Sequence, residues 1–146
     1  MLAVGLWAAQ RGGRAIWIMP LSFVSMMLAG GTLASFGIVL PMVETGIALS
    51  VLCLGLLVSA AVRMPMWSSS AVAGLFAILH GHAHAMELPM NALALPYSAG
   101  FAVSTVALHL VGIGFGLAVA RLGKVAAVRI AGGAIALCGV FLLALP

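Results

Sequence analysis

The chain is built of apolar runs about the length of a membrane span, with only short breaks between them. Five such runs cover roughly residues 15–40, 42–62, 68–86, 97–120 and 125–145. A transmembrane helix needs about 20 consecutive apolar residues, and each run is near or above that length. Packing them as the core of a water-soluble domain would require a polar shell that this chain does not have. Only 5% of its residues are charged and 65% are hydrophobic, whereas a typical soluble domain is about 25% charged. The surrounding solvent is therefore lipid, where every backbone N–H and C=O must be satisfied within the segment that carries it. The expected fold is an all-α, polytopic transmembrane helix bundle, a single domain over residues 1–146 with five full spans. The opening "MLAVGLWAAQ" is too short to span. It lacks the basic start and small-residue cleavage site of a secretory signal, and residues 1–10 read as the remnant of a truncated first span.

The breaks alternate in charge. "QRGGRA" carries Arg11 and Arg14, "VRMPM" carries Arg63, and "RLGKVAAVR" carries Arg121, Lys124 and Arg129, while "FGIVLPM" and "ELPMNALALP" carry no basic residue. Cytoplasmic loops are enriched in Lys and Arg, so the first, third and fifth breaks are expected inside and the C-terminus outside. Trp7, Trp17 and Trp67 are then expected near the inner interface, where indoles favour the headgroup region. The pI near 10.1 comes from these six scattered residues, which form no patch for nucleic acid. Cys53 and Cys138 each lie inside an apolar run and read as packing residues, not as a disulfide frame. Gly112 and Gly116 form a G-x-x-x-G, which lets helices approach closely in lipid. Pro41 suits the first turn of a helix, and Pro20 is expected to kink the start of the first span.

Against this background "FAILHGHAHAMELP" (residues 76–89) is anomalous. It holds three of the four histidines and one of only two acids. At about 100° per residue, His84 lies roughly 40° from His80 and Glu87 about 20° to the other side. His82 falls roughly 160° away. The stripe His80–His84–Glu87 spans about 10 Å at ~1.5 Å per residue. Two imidazoles one turn apart can share a metal ion, and a carboxylate a turn further on can complete the site or gather cations at its mouth. Isolated histidines in helices are more often packed and hydrogen-bonded. Aligned ionisable groups inside a membrane, however, are costly and point to function. His80, His84 and Glu87 are therefore the candidate cation ligands, with His82 a weaker one.

His109, near the middle of the fourth span, is a candidate deeper ligand. Glu44 enters the second span on its outer turn, where an acid also simply favours a helix N-terminus. From Glu44 and Glu87 through His84 and His80 to His109, the polar residues descend from outside inwards and suggest an entry path. Methionines such as Met26 and Met27 are soft donors in principle, but they share no evident face with the histidine stripe and read as flexible packing. An enzyme is not expected: zinc proteases use H-E-x-x-H, and no glutamate follows His80 or His84. There is also no G-x-x-x-x-G-K-[ST] loop for a nucleotide, so energy must come from gradients or a partner. A haem- or metal-binding membrane protein and a non-transporting fragment are the alternatives.

The chain resembles the HupE/UreJ proteins, membrane permeases for nickel or sometimes cobalt found near bacterial hydrogenase and urease genes. Their motif F-H-x-x-A-H-G-x-E stands here as Leu79-His80-Gly81-His82-Ala83-His84-Ala85-Met86-Glu87, with Leu79 for the Phe and Ala85 for the Gly. "MLAVGLWAAQRGGRA", "VETGIALSVLCLGLLV" and "HLVGIGFGLAVAR" are also similar to family segments. The family's other signature, H-P-x-x-G-x-D-H, would lie immediately before "MLAVGLWAAQ" and is absent. The expectation is that Met1 is an internal start or that the protein is a shortened form. The resemblance implies a secondary permease of the bacterial inner membrane that carries Ni2+ or Co2+ as substrate for metalloenzyme maturation. It would have no permanently bound cofactor, and its partners would be the ion, the bilayer and, in one arrangement, further copies of itself.

Overall fold

The apolar runs fold as helices because an amide in lipid has no other partner. The structure, a computed structural model, describes residues 1–88 and 93–144. The helices among them are α1 (Leu2–Arg11), α2 (Ala15–Ser35), α3 (Val43–Ser59), α4 (Met66–Met86), α5 (Ala94–Arg121) and α6 (Val125–Ala144). The middle of the outer break, residues 89–92, and the expected end of the last span at residue 145 lie outside the described residues. Where a turn must reverse the chain it uses left-handed backbone. Gly12 and Gly13 link α1 to α2 at φ 69° and 55°, and Gly123 links α5 to α6 at φ 70°.

The count of five full spans is not confirmed. Among the described residues, three helices, α2, α5 and α6, are long and apolar enough to cross a membrane by length and composition. The apolar α3 has only 17 residues. The 21-residue α4 is long enough, but Ser68–Ser70 and its three histidines lower its hydropathy. One smaller expectation changes. Pro41 sits in the turn ahead of α3, which begins at Val43 after a left-handed Met42. Trp7 is fully buried within the bundle, and its indole Nε1 donates to the Val62 carbonyl at 3.0 Å, beside the third break. Trp17 and Trp67 are exposed on the outer surface of the bundle.

Lipid tails are as apolar as leucine, so burying a side chain between membrane helices gains little from solvent; close packing and interhelical hydrogen bonds must hold them. The bundle is accordingly three tight pairs, α2 on α4, α3 on α6 and α1 on α5, each seamed by glycine. A methyl group at Gly30 would strike the Ile78 carbonyl, and one at Gly81 the Met27 carbonyl, so α2 and α4 touch backbone to backbone. Gly112 of the G-x-x-x-G meets the Leu2 carbonyl, and Gly116 meets Ala9. Gly55, Gly132 and Gly139 do the same for α3 and α6. The short α1 is central: Ala3 through Ala8 are all buried.

The ends of the bundle are chemically distinct. Gln10 Nε2 donates to the Val58 carbonyl, Arg11 Nη1 donates to the Met64 carbonyl and to Ser69 Oγ, and Arg129 Nε donates to the Ser59 carbonyl. These bonds gather the first, third and fifth breaks, with all six basic residues, at one end. Interhelical bonds of this kind contribute about 0.6 kcal/mol on average, up to roughly 2. Outward-facing Trp17, Phe36, Val103, Ile130 and Leu137 give the molecule an apolar surface. Cys53 and Cys138 are free thiols.

Candidate metal site

At the end away from the arginines, α2, α4 and α5 part to leave a half-open cleft of about 390 Å³. Met27, Gly31, Gly81, His84, Tyr97 and Phe101 contribute to its lining. The histidine helix supplies most of the chemistry. His84 is 35% exposed and packs its ring against Phe101, with centroids 3.8 Å apart. Its Nδ1 lies 3.5 Å from a carboxylate oxygen of Glu87, which is itself 69% exposed. The pair therefore sits at the mouth, oriented but not buried.

One turn deeper, His80 Nδ1 lies 2.9 Å from the Phe76 carbonyl oxygen. With the proton on Nδ1 donated to that carbonyl, Nε2 keeps its lone pair. Ligating histidines are commonly held this way, one ring N–H fixed so that the other nitrogen binds. The ring of His80 stands edge-on to Phe23, at 5.7 Å between centroids, and His109 stands edge-on to the same Phe23 at 5.1 Å. Both imidazoles thus pack against one phenyl ring. His109, near the midpoint of α5, is only 1% exposed, and neither ring nitrogen has a hydrogen-bond partner among the described residues.

His82 lies off this stripe, as its spacing requires. It is 2% exposed, and its Nε2 is 2.8 Å from the Ile38 carbonyl oxygen and 3.3 Å from the Leu40 amide. It ties the α2–α3 connection to α4. Glu44 stands exposed on the first turn of α3; of the candidate residues, His84 lines the cleft, whereas Glu44, Glu87, His80 and His109 do not. Among the described residues, no three His, Cys, Asp or Glu side chains converge to hold one ion between them. The arrangement is a file of donors from Glu87 and His84 through His80 to His109. Phe23, Met27, Phe101 and Thr105, which surround that file, were not legible from spacing. The only hint is that Phe23 and Met27, like Thr105 and His109, are four residues apart and so share a helix face.

The fold and this file define a helical protein of membrane character, its interior lined with imidazoles. Comparison with known families matches residues 1–142 to the HupE / UreJ protein family, and the chain belongs to it. It is 52% identical over 145 residues to Protein HupE of Rhizobium leguminosarum bv. viciae, an alignment covering 98% of this chain and 75% of that relative. No solved structure matches the chain.

Proposed function

We propose that this protein is a secondary permease that admits a divalent transition metal, Ni2+ in the first instance, from outside to the cytoplasm for metalloenzyme maturation. In this reading all of α2 to α6 cross the bacterial inner membrane, with the arginine-rich end in the cytoplasm and the C-terminus outside. The two short or polar helices, α3 and α4, cross under cover of their neighbours. Among observations, the arrangement of His80 and His84 carries the reading most directly. They stand one turn apart on a helix in an apolar bundle, the first with Nδ1 tied to the Phe76 carbonyl and the second opening on the cleft beside Glu87. Membership of the HupE / UreJ family supports it.

The sequence of events follows from depth. Glu87 draws the hydrated cation to the mouth, His84 and then His80 exchange imidazole nitrogen for water, and His109, packed on the same Phe23 as His80, receives the ion. Neutral donors suit a carrier because they bind an ion without trapping it. A membrane potential of 100 mV, negative inside, contributes about 2.3 kcal/mol per charge, hence roughly 4.6 for a dication. No catalytic role is assigned: the sequence has no H-E-x-x-H, and the one carboxylate beside an imidazole, Glu87 at His84, is exposed. Imidazole and carboxylate also suit cobalt, zinc and copper, so selectivity must come from the shape and softness of the path.

The test is uptake of radiolabelled Ni2+ by cells producing the protein. His80→Ala and His84→Ala are each expected to reduce accumulation to that of cells without the protein. Undiminished uptake by the double variant would overturn the assignment.

A further inference from the structure

Thr105 is buried one turn from His109 on α5, in contact with two sulfurs. Its Oγ1 lies 3.2 Å from Met1 Sδ and 3.5 Å from Met27 Sδ. A hydroxyl has one proton and so satisfies at most one of these thioethers. Both nitrogens of His109 are also without a partner among the described residues, and Met27, Thr105 and His109 are buried while Met1 is partly so. Leucine at 109 would fill the same space without stranding two ring nitrogens, whose burial without a partner is unfavourable. Met27 also forms part of the wall of the cleft that His84 faces, so this cluster lies directly inward of the entrance.

We propose that Met1 Sδ, Met27 Sδ, Thr105 Oγ1 and His109 form a buried soft-donor site for a thiophilic transition-metal cation, reached from the cleft past Met27. The assignment rests on the permease reading for the route by which the ion arrives, not for the binding. Thioethers are weakly hydrated and cheap to bury, and they select soft ions. Methionine side chains are flexible enough to close on an ion from their packed positions. Mg2+ and Ca2+ require several oxygen ligands, and this cluster offers one hydroxyl. An uncharged set of two sulfurs, one oxygen and one imidazole thus rejects the abundant hard cations and holds a softer one weakly enough to release it. Sequence spacing gave no reason to group a methionine with the imidazoles; the α2–α4 seam at Gly81 brings Met27 there.

The experiment uses the full chain carrying Cys53→Ala and Cys138→Ala, since its two free thiols would take up the probe ahead of any thioether, in detergent micelles, labelled with methyl-13C methionine, and Ag+ in chloride-free buffer as the probe. The methyl signals of Met1 and Met27 are expected to shift together and saturate near one equivalent, and equimolar Mg2+ should move neither. Met27→Leu, a volume-conserving change, and His109→Leu should each weaken Ag+ binding at least tenfold. His84→Ala should leave the Ag+ response intact even as it removes nickel uptake. A wild-type Met27 methyl unmoved by ten equivalents of Ag+ would overturn the site, as would unchanged affinity in folded Met27→Leu and His109→Leu proteins. Neither result would touch the His80–His84 reading, which is judged by uptake alone.

Discussion

His109→Leu replaces a buried imidazole with a side chain of similar size that has no polar atom. A neutral imidazole carries one N–H donor and one acceptor nitrogen, and neither is paired among the described residues. At roughly 1–3 kcal/mol for each stranded group, the wild-type residue costs the folded state about 2–6 kcal/mol. The leucine forfeits the edge contact with Phe23, about 0.5–1.5 kcal/mol. The unfolded reference also narrows the difference, because helices that stay in a micelle find other partners for their polar groups. A net stabilisation of about 1–3 kcal/mol remains, or roughly 2–12 °C in Tm at about 2–4 °C per kcal/mol. Thermal unfolding of the purified protein in detergent, followed by helical circular dichroism, reads the stability. Radiolabelled nickel uptake, expected to fall to background, reads the function. A variant with a lower Tm than wild type would refute the reasoning, since the nitrogens would then be supporting the fold and His109 would be a structural residue.

Four further outcomes are expected. Gly81→Ala drives a methyl into the Met27 carbonyl, and backbone cannot rotate aside as a side chain can. The cost should reach or exceed the usual 1–3 kcal/mol of overpacking, visible as a lowered Tm in detergent. His82→Ala releases the Ile38 and Leu40 backbone from α4, so amide hydrogen exchange at residues 38–42 should quicken while nickel uptake changes little. Glu87→Gln, at the exposed mouth, should raise the KM for uptake several-fold with little effect on its maximal rate, whereas His84→Ala should abolish transport. Only neutral imidazole binds metal, so protons compete with the ion, and uptake should weaken as the outer pH falls; rates measured from neutral pH down to about pH 4 at fixed membrane potential check this.

The sequence by itself determined what depends on composition and helical period. Apolar runs without charge admit only helices, and the breaks at Arg11–Arg14, Arg63 and Arg121–Lys124 were legible because a charge is tolerated only where a helix leaves lipid. His80, His84 and Glu87 shared a face, and His82 did not, because α4 is a regular helix whose angles follow from spacing. Everything that depends on which helix meets which was decided by tertiary packing. That Trp7 is buried, with its indole donating to the Val62 carbonyl, follows from α1 packing at the centre of the bundle. His109 and His80 are distant in sequence and both reach Phe23 because glycines let α1, α2, α4 and α5 close on one another. Met27 joins Thr105 for the same reason. A helix fixes directions around its own axis from local bonds alone, whereas the contacts between axes are set by where small residues let two backbones touch, and no period within a single segment records its partner.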